Sequence, residues 1–140
     1  MPKAAFTLLE LLIVITIIAI LSAAIVPVFN TSRREAEIAK TKADLDTLAF
    51  AGRQAFYDTK HYVSPTYLDD DTYLSLSTWK GPYMPKVNAD PWGTVYAGVG
   101  YLGSFERFYY CSCGPNKTLE SSGENGTMGD DICVMVAGRN

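Results

Sequence analysis

The chain has 140 residues, a formal net charge of −3 and a sequence pI of about 5.0. This length suits one small domain, and the acidic balance argues against the basic surface that nucleic-acid binding requires. The three cysteines form no CxxC or CxxCH pattern, which argues against a zinc knuckle or attached haem. The sequence has no HExxH or P-loop motif and no convincing catalytic triad, and its single histidine, His61, is interpreted as a surface loop residue.

The first element is an apolar segment, residues 6–29, which follows a short start, residues 1–5. At a rise of about 1.5 Å per residue, a helix of this length crosses a bilayer core of about 30 Å. Residues 22–24 resemble a signal-peptidase site, but the apolar run continues beyond them, which favours retention of the segment. Glu10 is the acid inside this segment, and an acid in an apolar helix indicates a function and requires a partner.

The stretch KAAFTLLELLIV resembles the processing site of type IV pilins and of type II secretion pseudopilins. The resemblance implies that residues 1–5 are a leader, which a prepilin peptidase removes by cutting between Ala5 and Phe6. It also implies methylation of the new amino group of Phe6. We expect Glu10 to pair, on assembly, with the Phe6 amino group of a neighbouring copy. Ala5 departs from the Gly that usually precedes the cut in this family.

Residues 30–57 have the pattern of an amphipathic helix that continues the apolar one. Charged residues on this helix are interpreted as a solvated face. The segment DTKHYVSP ends the helix, so residues 58–140 are expected to form the globular body. Apolar and small residues that recur at helical spacing predict a buried stripe, made of Ile38, Leu45, Leu48, Ala49, Gly52, Ala55 and Phe56.

The body contains a second recognisable block, WKGPYMPKVNADPWGTVY, at residues 79–96. It resembles the GPY and DPWG segment of the major pseudopilins of type II secretion, which ordinary type IV pilins rarely have. The DPWG residues predict a tight turn, with Trp92 packed against the helix stripe. Strands are expected at residues 94–96, 99–101 and 108–113. The predicted fold class is α+β: a pilin-like fold whose long N-terminal helix packs on a small antiparallel sheet with a C-terminal loop.

The C-terminal loop is similar to the loop that binds calcium in major pseudopilins. The matching residues are Ser112, Gly114, Asn116 and the run from Gly129 to Ile132. The resemblance implies a Ca²⁺ cofactor. The matching residues can supply oxygen donors, which calcium prefers. The expected donors are Asn116, Asp130, Asp131 and the backbone carbonyl of Cys113, with Glu124 as an extra donor. Asn116 stands where the family usually has Asp, which removes one charge and lowers the expected affinity.

The cysteines predict a disulfide. Cys111 and Cys113 would project to the same face of a strand, where a bond between them would strain so short a loop. Cys133 follows the acidic end of the loop, so we expect it to return near that strand. The sequence therefore predicts one bond, from Cys133 to either Cys111 or Cys113, formed in an oxidising compartment.

These features predict a structural protein and not an enzyme: a subunit that forms a homopolymer, a helical filament of the cell envelope. The resemblance favours the major pseudopilin of a type II secretion pseudopilus, which drives export of folded proteins. The alternative is a type IV pilin of a surface pilus, for attachment, motility or DNA uptake, and a membrane-anchored enzyme or binding module is a third interpretation.

The implied partners are the prepilin peptidase, an inner-membrane assembly platform and minor pseudopilins. The chain would cross the inner membrane once before assembly, with its body on the periplasmic or extracytoplasmic side. It would then enter a filament in the envelope or at the cell surface.

Overall fold

The computed structural model describes residues 6–71, 77–101, 107–120 and 129–138. The elements follow in the order α1 (Leu8–Thr59), a short 3₁₀ helix (Pro65–Tyr67), β1 (Ala97–Tyr101), β2 (Arg107–Ser112) and β3 (Ile132–Gly138). The predicted leader with Ala5, and Glu124, lie outside the described residues. The chain divides into two compact units, Met1–Glu37 and Ile38–Asn140. The predicted α+β class, with a long N-terminal helix and a small antiparallel sheet, is confirmed.

The first unit contains the N-terminal part of α1, and the large apolar side chains that the structure describes there are exposed. Phe6, Leu8 and Phe29 are 83%, 88% and 69% exposed. Leu and Ala, which are frequent in the apolar run, favour a helix. Beyond this run, the Arg33 Nε donates to Glu37 Oε1 at 2.9 Å, one helical turn away. Because soluble monomers rarely expose contiguous apolar surface of this extent, the segment requires a cover of lipid or protein.

The second unit has a hydrophobic core built on one face of α1. The predicted stripe lies on this face, although its outer members, Ile38 and Phe56, are only half-buried. Thr41 is also fully buried, which the apolar pattern did not predict. The buried residues of the core come from α1, from the stretch between α1 and the sheet, and from the sheet itself: Leu45, Leu48, Ala49, Ala51, Ala55, Val63, Leu68, Tyr96, Tyr110 and Val136.

Within the described residues, the sheet has the strand order β1-β2-β3, and both neighbouring pairs are antiparallel. Cys111 lies opposite Cys133, and Ser112 lies opposite Ile132, so β3 returns along the end of β2. This register brings the two ends of the C-terminal loop to the same place, where β2 ends and β3 begins.

The strand prediction was wrong for residues 94–96, which form no strand. The backbone groups of Thr94 are bonded to Asp90 instead: Asp90 N–H donates to the Thr94 carbonyl at 2.9 Å, and Thr94 N–H donates to Asp90 Oδ1 at 2.7 Å. The third strand is β3, in a segment that was expected to close the loop. Trp92 is only half-buried, and a different aromatic residue, Tyr110, is fully buried in the core.

Candidate functional site

Thr7 and Glu10 form a capping box at the start of α1. The Thr7 N–H and the Thr7 hydroxyl each donate to Glu10 Oε2 at 2.9 Å, and the Glu10 N–H donates to Thr7 Oγ1 at 3.2 Å. Reciprocal bonds of this kind satisfy N–H groups that the first turn of a helix leaves without partners. The carboxylate of Glu10 therefore has a partner within its own chain.

The helix that carries this capping box, α1, is long and apolar enough by composition to span a membrane. Its apolar window is wholly exposed in the structure, unlike the core helix of a soluble protein. The capping box thus lies at the N-terminal end of a segment that either lipid or other protein must cover.

Asp90 organises the DPWG turn through its side chain. Its Oδ1 accepts the N–H groups of Trp92 at 3.1 Å and of Thr94 at 2.7 Å, and its carbonyl accepts the Gly93 N–H at 2.9 Å. Gly93 has a φ of 84°, in the left-handed region that favours glycine. The four residues form the tight turn that the sequence predicts. The other carboxylate oxygen, Oδ2, accepts the hydroxyl of Ser112 at 2.6 Å and ties the turn to the end of β2.

The C-terminal loop begins directly after β2, and hydrogen bonds connect its two ends. The Asn116 N–H donates to Asp130 Oδ2 at 3.1 Å, and the Glu120 N–H donates to Asp131 Oδ2 at 2.8 Å. The side-chain oxygen of Asn116 accepts the Thr118 N–H at 2.7 Å. The fold thus brings three predicted calcium ligands, Asn116, Asp130 and Asp131, into one loop cluster.

The donors in this loop cluster are of several kinds. Among the described residues, no three His, Cys, Asp or Glu side chains lie close enough together to hold a metal ion. A cation here would therefore need amide and backbone oxygens besides the two adjacent carboxylates, which is a mixture that calcium accepts.

A disulfide joins Cys111 to Cys133, which is one of the two pairings that the sequence left open. The two residues are direct cross-strand neighbours with Cα atoms 4.1 Å apart. The bond closes the loop at its base, since Cys111 precedes the loop and Cys133 follows it. Cys113, the other predicted partner, is a free thiol and is buried.

The environment of the Cys113 thiol opposes its ionisation. Burial raises the pKa of this thiol, and the nearby carboxylates of Asp131, Asp90 and Asp130 raise it further, because negative charge disfavours a thiolate. The thiol form is the weaker nucleophile, and Cys113 is a buried side chain.

Another carboxylate, that of Asp58 near the end of α1, bonds two residues of the segment that follows the helix. Tyr83 donates its hydroxyl to Asp58 Oδ2 at 2.9 Å, and Lys80 Nζ donates to Asp58 Oδ1 at 3.2 Å. The bond from Tyr83, followed by the bond from Lys80, lowers the pKa of Asp58 below its ordinary value.

Sequence interpretation missed two residues at these sites. Thr7 was not assigned a role, although the T-x-x-E spacing with Glu10 is the known signal of a capping box. Asp90 was assigned only to a turn, and nothing in the sequence indicates that its second oxygen bonds Ser112, 22 positions further on.

The chain is similar to known proteins at its N-terminus and over most of its length. Residues 1–26 match the family described as prokaryotic N-terminal methylation motif. The chain is 31% identical over 134 residues to type II secretion system core protein G of Escherichia coli K12, with 91% of this chain and 87% of the relative covered. The chain belongs to the family of type II secretion system core protein G.

A second member of this family is similar as well. Core protein G of Pseudomonas aeruginosa PAO1 is 29% identical over 116 residues, with 76% of this chain and 81% of the relative covered. No solved structure is a significant match. The predicted resemblance to type II secretion pseudopilins is confirmed at the level of the family.

Proposed function

We propose that the chain is the major pseudopilin of a type II secretion system, a structural subunit that polymerises with copies of itself into a helical filament. The observation that carries this proposal is family membership, which extends over 87% of a type II secretion core protein. Both relatives belong to type II secretion systems, which favours a secretion filament over a surface pilus. In this proposal the filament drives export of folded proteins, and the role of the chain is structural and not catalytic.

The exposed apolar part of α1 supports this role because it needs two different covers in turn. Lipid covers it before assembly, when the segment crosses the inner membrane once with the body on the periplasmic or extracytoplasmic side. The apolar segments of neighbouring copies cover it in the filament. The inner-membrane assembly platform and the minor pseudopilins are the partners proposed for the transfer between these two states.

Deletion of the gene in its native host tests the function. Export of folded substrates should stop while surface pili remain, and overexpression of the chain should yield filaments by electron microscopy. Normal export with lost surface pili would instead support the surface pilus, and correctly processed but dispersed monomers would contradict a filament subunit.

Processing is the first event in the proposed life of the chain. A prepilin peptidase cuts between Ala5 and Phe6 and methylates the new amino group. The intact mass of the mature protein should therefore lack residues 1–5 and carry one methyl group on Phe6. Ala5→Gly, which introduces the residue usual in the family, should speed cleavage. A mature chain that begins after residue 24 would contradict this processing.

Assembly then pairs Glu10 with the Phe6 amino group of a neighbouring copy. In a packed bundle of apolar helices both charges are buried, and breaking a buried pair costs about 3–5 kcal/mol. The pair sets the axial register between neighbours, because only one stagger brings the two groups together. In the single chain, the carboxylate is bonded to Thr7.

Glu10→Gln separates the two roles of this carboxylate. Glutamine can accept the bonds of a capping box but carries no charge. The variant should insert in the membrane and be processed normally, yet form few filaments. Glu35→Gln, on the exposed part of α1 outside the apolar run, is the matched control and should assemble normally. Wild-type filament yield from Glu10→Gln would show that the charge pair is dispensable.

Calcium is the cofactor proposed for the C-terminal loop. Oxygens of Asn116, Asp130 and Asp131, with the backbone carbonyl of Cys113, would hold the ion, and these are the donor types that calcium prefers. The bound ion would neutralise two adjacent carboxylates and join the ends of the loop. Lys117 works against the site through its charge.

Thermal melting of the full chain in detergent, with calcium or with chelator, tests this cofactor. An ion that binds only the folded state stabilises it by about 2.7 kcal/mol at a hundredfold excess over Kd. Asp131→Ala should remove the difference between the two buffers, whereas Asp46→Ala, an exposed acid on α1, should preserve it. Equal melting temperatures of the wild type in both buffers, with the disulfide intact, would exclude calcium.

A further inference from the structure

We propose that Asp90, acting through the buried hydroxyl of Ser112, is the positioning residue of the C-terminal loop. The two side chains connect the DPWG turn to the start of the loop and hold the loop in the conformation that binds a cation. The part of this inference that concerns the cation rests on the proposed calcium role. The part that concerns loop position does not.

The two connecting side chains, Asp90 and Ser112, are both buried. Asp90 is 5% exposed and Ser112 is fully buried, so water cannot replace their bonds at low cost. The carboxylate uses one oxygen for its own turn and the other for the Ser112 hydroxyl, at 2.6 Å. Asp90 thus fixes where the Ser112 hydroxyl proton points.

The Ser112 hydroxyl also accepts a hydrogen bond from the loop. Because the proton of Ser112 Oγ is donated to Asp90, its lone pairs face the loop, and Oγ accepts the Gly114 N–H at 3.2 Å. This bond acts on the second residue after β2, where the chain leaves the sheet. Gly114 has a φ of 64°, a conformation that glycine adopts without strain.

Gly114 carries this effect to the acidic end of the loop. A Cβ at Gly114 would lie 2.5 Å from the Asp130 carbonyl oxygen and 2.9 Å from Asp130 Oδ2, so the two backbones are in close contact. That same Oδ2 accepts the Asn116 N–H. Displacement of Gly114 would therefore move Asn116 and Asp130 apart.

Hydrogen exchange of backbone amides, measured by NMR on the calcium-free full chain in detergent, tests the positioning role. Ser112→Ala removes the connecting hydroxyl and leaves the Asp90 bonds within the turn. Exchange at Gly114 rises in any case, since its acceptor is lost. The decisive reporters are the amides of Asn116 and Glu120, which have no bond to Ser112 but donate to the adjacent carboxylates of Asp130 and Asp131. Both should exchange about tenfold faster, which corresponds to the loss of about one hydrogen bond of local stability.

Thr59→Val is the matched control, because it removes a buried hydroxyl that bonds the Ala55 carbonyl, away from the loop. It should leave the Glu120 amide unchanged, whereas Ser112→Thr keeps a hydroxyl and should restore protection. A Ser112→Ala protein whose exchange changes only at Gly114 would overturn the proposal. If Ser112→Ala does not fold, Asp90→Asn gives the same comparison, since an amide NH₂ cannot accept the Ser112 proton.

Calcium titration of the same proteins tests the second part. Loss of a residue that orients metal ligands typically weakens metal binding by about 10- to 100-fold, so Ser112→Ala should raise the calcium Kd by about that factor. Thr59→Val should leave Kd unchanged. An unchanged Kd in Ser112→Ala would overturn this part, and a wild type that binds no calcium would refute the cofactor while the exchange data still decide the positioning role.

Discussion

Gly52 lies on the buried face of α1, directly against the ring of Tyr110. A Cβ at this position would lie 2.7 and 2.8 Å from two ring carbons and closer still to the phenol oxygen. Tyr110 is fully buried and its hydroxyl donates to the Val63 carbonyl at 2.7 Å, so the ring can move away only by breaking this bond and disturbing the core. We therefore predict that Gly52→Ala destabilises the second unit, although Ala is the better helix former.

The expected magnitude follows from three effects. Alanine in place of glycine inside a helix gains about 1 kcal/mol. Overpacking of a well-filled core costs about 1–3 kcal/mol, and a buried carbonyl that loses its donor, here that of Val63, costs about 1–3 kcal/mol more. The net expectation is a loss of about 3 kcal/mol, which lowers the melting temperature of a unit of this size by about 12–24 °C.

Near-UV circular dichroism of the full chain in detergent follows the melting of the aromatic core. Gly100→Ala is the matched control, because a Cβ there would lie 3.4 Å from the Phe108 ring, an ordinary contact, and should not lower stability. In a Tyr110→Phe background, Gly52→Ala should cost less, since the closest clashing atom is absent. A Gly52→Ala protein as stable as the wild type would refute the packing described for this face.

The remaining predictions concern titration and the cysteines. Because its folded pKa is lowered, Asp58 contributes stability that is present above its unfolded pKa of about 3.9 and is lost as pH falls through the lower folded value. Asp58→Asn should therefore flatten the acid limb of a stability–pH curve below about pH 4, as should Tyr83→Phe; an unchanged limb would contradict the assignment. Denatured, unreduced protein should present one reactive thiol, that of Cys113, and three would disprove the disulfide. Replacing both Cys111 and Cys133 by Ser should cost about 3 kcal/mol at a sequence separation of 22, measured by denaturant unfolding.

Local patterns accounted for α1 and the turn. Leu45, Leu48 and Ala49 recur at helical spacing and are buried, because the face that a helix presents depends only on residues a few positions apart. The DPWG turn was predictable for the same reason, since Asp90 bonds the backbone of its own turn.

Contacts between distant residues were not predictable in the same way. The choice of Cys111 over Cys113 depends on the register of β2 with β3, which no local pattern specifies. The strand β3 itself had a signal, the alternating Val134 and Val136, but its position after the acidic residues favoured a loop assignment. Residues 94–96 do not form the predicted strand because the Thr94 N–H donates to the Asp90 side chain, a bond that competes with sheet pairing.

The C-terminal loop is held by interactions that act on different states of the chain, folded or unfolded. The disulfide restricts the unfolded chain and keeps the ends of the loop together whether or not a cation is present. The bonds of Asp90 and Ser112 act only in the folded state, where they set the position of Gly114. The proposed calcium acts by mass action and depends on its concentration. Since Asn116 supplies less charge than the Asp usual in the family, the proposed site should need a higher calcium concentration to fill. Because the disulfide acts on the unfolded chain and calcium binds the folded one, the two contributions should add, and the gain in unfolding free energy from calcium, measured by denaturant unfolding, should be the same before and after reduction. A smaller gain after reduction would show that the disulfide also holds the folded loop in the conformation that binds the ion.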